Sequence, residues 1–166
     1  MLGSGLGNLP YLLLVVLPVG IMAVTIHEVS HGYVAWKLGD PTAHYAGRLT
    51  LNPIAHIDPI GALMLVLVGF GWAKPVPVNP GYFRKPRRDM MWVGLAGPVS
   101  NILFAIVFAL VLKAVIAFAP NYSEALFPLL RFGIVINVVL AAFNMIPIPP
   151  LDGSRVLAYF LPYDAS

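Results

Sequence analysis

The chain has 166 residues, of which 59% are hydrophobic and only 10% charged, with a formal net charge of +3. Ordinary soluble domains carry roughly a quarter of their residues as Asp, Glu, Lys or Arg, so a mean hydropathy of +0.84 points to a membrane protein and away from nucleic-acid binding. With no cysteine in the chain there is no disulfide framework, no thiolate metal site and no cysteine nucleophile.

Residues 9–36, from "LPYLLLVVLPVGIMAVTI" through "HEVSHGYVAW", predict one long helix. At 1.5 Å per residue it reaches about 42 Å and crosses a hydrocarbon core of roughly 30 Å with length to spare. Pro10 suits its first turn, whereas Pro18 predicts a kink. It has no basic leader and no Ala-x-Ala-like site, so it does not read as a cleaved signal peptide. "GRLTLNP" at 47–53, bounded by glycine and proline around a short alternating core, predicts a short strand or hairpin arm. The apolar run Ile60–Trp72 is too short for a full crossing and predicts a re-entrant or shallow element. "KPVPVNP" at 74–80 is excluded from a helix interior by its prolines. The basic cluster "RKPRRD" at 84–89 reads as a loop facing lipid headgroups.

A second long helix is predicted over 90–119, then a polar break "PNYSEA", then a third apolar helix over 129–145. The prolines of "IPIPPLDGSRVLAYFLP" unwind the chain before a short amphipathic segment. The fold class is therefore an all-α polytopic membrane protein: three long transmembrane helices, a re-entrant or shallow segment and a short β-like stretch. Lys37, Arg48, Lys74 and the 84–88 cluster share the cytoplasmic side under the positive-inside rule. The first helix then runs inward, the second outward and the third inward again, which puts His27 and Asp152 toward the cytoplasmic half.

Ionisable groups inside a membrane helix are costly and mark function by default. His27 and His31 lie four apart, so both imidazoles face one way and can grip one ion, and Glu28 can reach a water on that ion. A catalytic zinc site has three protein ligands and an open position. For the third, His44, His56, Asp58 and Asp152 compete; Asp152 follows the break in the last helix, but it equally suits the N-cap of the short "GSRVLAYFL" helix. Asn137 and Asn144, seven residues apart, share a helix face and suit either a substrate backbone or interhelical hydrogen bonds.

HEVSH at 27–31, GPVSN at 97–101 and NMIPIPPLDGSR at 144–155, with "GDPTAHYAGRLTLNPIAHIDP" and "GWAKPVPVNP" between, resemble the site-2 protease family of intramembrane zinc metalloproteases, in its compact bacterial and archaeal branch. The resemblance covers nearly the whole chain. It implies one Zn2+ per chain held by His27, His31 and Asp152, Glu28 as the catalytic glutamate, and Asn144 and Asn101 as substrate-positioning residues. It implies a multi-pass protein of the cell membrane that hydrolyses peptide bonds in or near transmembrane segments of other membrane proteins, with no nucleic-acid partner and an open oligomeric state. Relatives commonly continue in hydrophobic sequence, so residues 1–166 are expected to be a single protease core domain whether or not Ser166 is the natural end. Two rivals are weaker. A non-catalytic scaffold or chaperone has no need of the complete His27, Glu28, His31 and Asp152 set. A metal or proton transporter needs a polar route through both leaflets, where "NILFAIVFALVLKAVIAFA" offers only Lys113.

Overall fold

Pro18 has no N–H to give the carbonyl of Leu14, and the first helix answers by loosening. In the computed structural model, which describes residues 11–68 and 71–162, Leu12–Val16 form a π-turn and the regular helix α1 runs Leu17–Lys37. Residues 9 and 10 of the predicted helix lie outside the described residues. A single turn, α2 (Thr42–Tyr45), and a 3-10 turn, Pro53–His56, lead to the ten-residue helix α3, Pro59–Val68. At about 15 Å, α3 is half the thickness of a hydrocarbon core.

The two long helices begin earlier than predicted. Helix α4 runs Pro86–Phe118 and α5 runs Pro120–Asn144. In each, proline occupies the first turn, where its missing N–H has no partner to lose. Asp89 supports the start of α4 by accepting from the Lys85 N–H at 3.1 Å, and Ser123 donates to the Pro120 carbonyl at 2.6 Å in the first turn of α5. The predicted polar break is thus helical, and only Ala119 separates α4 from α5, which forces them into an antiparallel hairpin. The last helix, α6, runs Asp152–Phe160.

The predicted β-like stretch is absent. Among the described residues there is no strand, only an isolated antiparallel bridge between Ile57 and Ala73. Local side chains claim the backbone instead. The Thr50 hydroxyl accepts from the Asn52 N–H at 3.1 Å, Asn52 caps the following turn through Ile54 N–H at 3.1 Å, and buried Arg48 donates to the Lys74 carbonyl at 2.7 Å.

Three segments, Leu14–Lys37, Pro86–Phe118 and Leu126–Asn144, are long and apolar enough to cross a membrane; the chain is a multi-pass, all-α membrane protein. Helix α4, with 33 residues, measures about 50 Å and projects beyond the hydrocarbon. Its outer face (Leu103, Ile106, Val107, Leu110) is exposed, as a lipid-facing surface should be, while Asn101 and Asn137 are among the most deeply buried side chains. The buried residues recur every fourth position: Val19, Ala23, His27, His31 and Ala35 on α1, and Asp89, Val93, Gly97, Asn101 and Ala105 on α4. These two stripes pack together, and α5 closes against α4 where Gly133 meets Phe108. A Cβ at residue 133 would lie 2.6 Å from that ring. Gly133→Ala is expected to cost about 1–3 kcal/mol by overpacking, read as a lower thermal midpoint in detergent, and an added Phe108→Leu should recover part of the loss.

Candidate metal centre

His27 and His31 stand one turn apart on α1 with ring centroids 4.6 Å apart and nearly perpendicular planes. Asp152, the first residue of α6, turns its carboxylate onto them: Oδ2 lies 3.1 Å from Nε2 of each imidazole. The three side chains are buried, and their ligand atoms all fall within 4.8 Å of one another. No side chain caps α6, so the N-cap alternative for Asp152 has no support in the geometry.

Small residues make the convergence possible. A Cβ on Gly97 would sit 2.5 Å from His27 Cε1 and 2.5 Å from His31 Nε2, so α4 passes the imidazoles at backbone distance. A Cβ on Gly153 would sit 2.3 Å from the Met145 carbonyl oxygen, so only glycine lets α6 start so close to the end of α5. Arg87 then fastens the far end of α6 by donating to the Ala158 and Leu161 carbonyls.

The outward nitrogens are held as well. His31 Nδ1 lies 2.6 Å from the Val93 carbonyl, which only accepts, so Nδ1 carries the proton. His27 Nδ1 lies 2.6 Å from Asn101 Oδ1. Asn101 spends its Nδ2 on Asn137 Oδ1 at 2.8 Å and on the Ala23 carbonyl at 3.3 Å, so its oxygen faces His27 and Nδ1 is again the donor. With each Nδ1 donating outward, the two Nε2 atoms and a carboxylate oxygen face one another, an arrangement that only a proton or a cation can hold together. Burial pushes the Asp152 carboxyl up, but hydrogen bonds from His27 and His31 and their charge outweigh it and hold the group below the usual carboxylate range. For a tetrahedral zinc with bonds of about 2.0–2.1 Å, neighbouring ligand atoms lie about 3.3 Å apart. The 3.1 Å separations come close to that edge, so these residues fit zinc.

Glu28 is half-buried beside the cluster, and its Oε2 accepts from the Val76 N–H at 2.9 Å. The segment carrying Val76 is itself fixed. Buried Asp40 accepts from the Asn79 N–H at 2.7 Å and from the Thr42 N–H at 3.0 Å, tying the loop after α1 to the extended residues before Pro80. Asn144, at the end of α5, is half-buried and donates to the Leu140 carbonyl of its own helix at 3.0 Å. No hydrogen bond joins it to the cluster among the described residues. The other candidates lie elsewhere: His44 is exposed and stacked on Trp36, His56 bonds the Thr50 carbonyl, and Asp58 caps α3 through the Ile60 and Gly61 N–H groups. Sequence reasoning missed the Val93 carbonyl and the Val76 N–H, since backbone atoms leave no residue signal. Gly97 stood in plain view within GPVSN, with its proximity to the imidazoles unseen.

An HExxH helix completed by a distant aspartate within apolar helices defines a zinc metalloprotease site in a membrane protein. Comparison with known proteins agrees. Residues 114–163 match Peptidase family M50. YwhC of Bacillus subtilis (strain 168), provisionally named a zinc metalloprotease, is 42% identical over 161 residues, covering 95% of this chain and 72% of YwhC. Rip2 of Mycobacterium tuberculosis (strain H37Rv), also provisionally so named, is 29% identical over 143 residues, covering 82% of this chain but 53% of Rip2. Zinc metalloprotease MJ0392 of Methanocaldococcus jannaschii is 28% identical over 140 residues, 84% of this chain and 32% of that protein. No solved structure matches the chain at a significant level. The chain belongs to peptidase family M50, the site-2 family of zinc metalloproteases.

Gly97→Ala is expected to lower zinc affinity at least tenfold while leaving helix content intact, measured by metal analysis and circular dichroism. Gly20→Ala, with nothing within 4 Å of the added Cβ, is the neutral control.

Proposed function

We propose that the chain is a zinc-dependent intramembrane endopeptidase in which His27, His31 and Asp152 hold one Zn2+ and Glu28 is the general base. The observation that carries this reading is the convergence of the buried triad beside Glu28, inside a bundle whose outer faces are apolar. When bound, zinc supplies an acidified water and a Lewis acid for the scissile carbonyl.

The protein's own residues do the rest. Val76 holds one oxygen of Glu28, which leaves the other to take a proton from the attacking water and return it to the leaving nitrogen. The Val93 carbonyl and Asn101 keep the two imidazoles turned so that Nε2 of each faces the metal position. Asn101 acts here behind a ligand, a different role from direct contact with substrate. Asn144, nearer the break after α5, remains the candidate for substrate contact. The extended segment around Val76 meets Glu28 directly, so an unwound stretch of a transmembrane substrate laid along it reaches the proton acceptor. A helical substrate has its carbonyls occupied by its own backbone, so local unwinding must precede the cut.

The site also has a side. Of the ten Lys and Arg residues, eight (Lys37, Arg48, Lys74, Arg84, Lys85, Arg87, Arg88 and Arg155) belong to the C-terminal end of α1, the N-terminal end of α4, the loops between them and α6. These are the elements that carry the triad, and the positive-inside rule puts that end in the cytoplasmic half. Residues 1–166 form the protease core in this reading, acting on transmembrane proteins of the cell membrane.

Two measurements test the proposal. Glu28→Gln should retain zinc and lose about 10²–10⁴-fold in cleavage of a model transmembrane substrate, whereas Asp152→Ala should lose metal and cleavage together. Unchanged cleavage by Glu28→Gln overturns the protease reading. For the topology, the chain has no cysteine, so a single cysteine at Lys85 should react with a membrane-impermeant maleimide in inverted vesicles and not in intact cells. The reverse pattern overturns the cytoplasmic placement.

A further inference from the structure

We propose that Asn137 is a positioning residue for the metal site, acting through Asn101 to decide which nitrogen of His27 faces the metal position. The proposal rests on the reading of His27 as a metal ligand, and it assigns a task to a buried side chain that the mechanism above leaves unused.

The chain of hydrogen bonds has a direction. On α5, Asn137 Nδ2 donates to the Gly133 carbonyl one turn back, at 2.8 Å. A carbonyl only accepts, so this contact fixes which end of the Asn137 amide is NH2. Its Oδ1 must then face α4, where it accepts from Asn101 Nδ2 at 2.8 Å. That contact fixes the Asn101 amide in turn and leaves Asn101 Oδ1 at 2.6 Å from His27 Nδ1. His27 therefore carries a proton on Nδ1 and turns Nε2 toward the site. Rotating the Asn101 amide by half a turn would put NH2 against Nδ1, move the imidazole proton to Nε2 and remove the lone pair that a metal needs.

Burial makes the direction binding. Asn101 and Asn137 are 0% and 1% exposed, so no solvent can replace a lost partner, and a buried amide left unpaired is costly. The Ala23 carbonyl also receives Asn101 Nδ2, but at 3.3 Å, which makes Asn137 the closer of the two acceptors. Outer partners of metal-bound histidines typically matter by 10–100-fold in metal affinity. Asn137 stands one step further out, and it is tied to His27 by an unbroken series in which every group has one workable orientation.

The test is a double-mutant cycle on full-length protein in detergent, read as zinc affinity by competition with a chelator. Asn137→Leu should weaken zinc binding about tenfold or more. Asn101→Asp supplies two acceptor oxygens and has no wrong way round, so in that background Asn137→Leu should change zinc affinity by less than about threefold. Equal losses in both backgrounds would show that Asn137 only packs, and would overturn the proposal. The same holds for Asn137→Ser, too short to reach Asn101, should the leucine variant fail to fold. A second readout is the tautomer itself. With 15N-labelled histidine in the metal-free protein, His27 Nδ1 should carry a proton in the wild type and lose it in part of the population in Asn137→Leu; no change at Nδ1 overturns the proposal. A wild type that binds no zinc would instead remove the protease reading on which this one rests.

Discussion

Ionisable and amide side chains buried among membrane helices have no water to fall back on, so each must find a partner inside the protein. Everything distinctive about this structure follows from that constraint. His27, His31 and Asp152 meet at one point because none of them is tolerable alone. Their outer nitrogens and oxygens are then handed on to Val93, Asn101, Asn137 and Gly133 until the series ends on helix carbonyls. Unlike a soluble protein, it counts amides and carboxylates among its most buried side chains, and many of its large apolar ones face outward.

Helix α4 is the spine of this arrangement. Four-residue spacing on one face delivers a carbonyl at Val93, a gap at Gly97 and an amide at Asn101, each level with a different part of the α1 cluster. The geometry is rigid because it comes from helices and not from loops, and α1 meets α4 with matching periodicity. The loops are anchored separately. Asp40 joins the turn after α1 to the segment before Pro80, and that segment holds Glu28 through Val76. Asp40, on the loop after α1, thus fixes the segment that holds the Glu28 carboxylate.

The sequence was most readable where chemistry is written in side chains. HEVSH inside an apolar helix, three membrane crossings and a short fourth element are all visible in it, and the family follows from the motifs. It was least readable where backbone decides. "GRLTLNP" alternates like a strand, yet Thr50 and Asn52 bond to their own neighbourhood and leave no ladder to join. "RKPRRD" reads as a loop and "PNYSEA" as a break, yet Pro86 and Pro120 each open a helix, so α4 begins four residues and α5 nine residues before the predicted starts. Asp152 divided evenly between cap and ligand on spacing alone, because a carboxylate at a helix start serves both uses. The carboxylate turns onto the two imidazoles, and that direction is a property of the packed bundle.

The span between the ligands, residues 27 and 31 at one extreme and 152 at the other, has a consequence for how the protein is made. Synthesis delivers the two histidines first and the aspartate only after the residues of α4 and α5 have been made. Until then the growing chain carries two of the three triad residues. The residue that closes the cluster follows all three membrane-length helices, so the site is completed last.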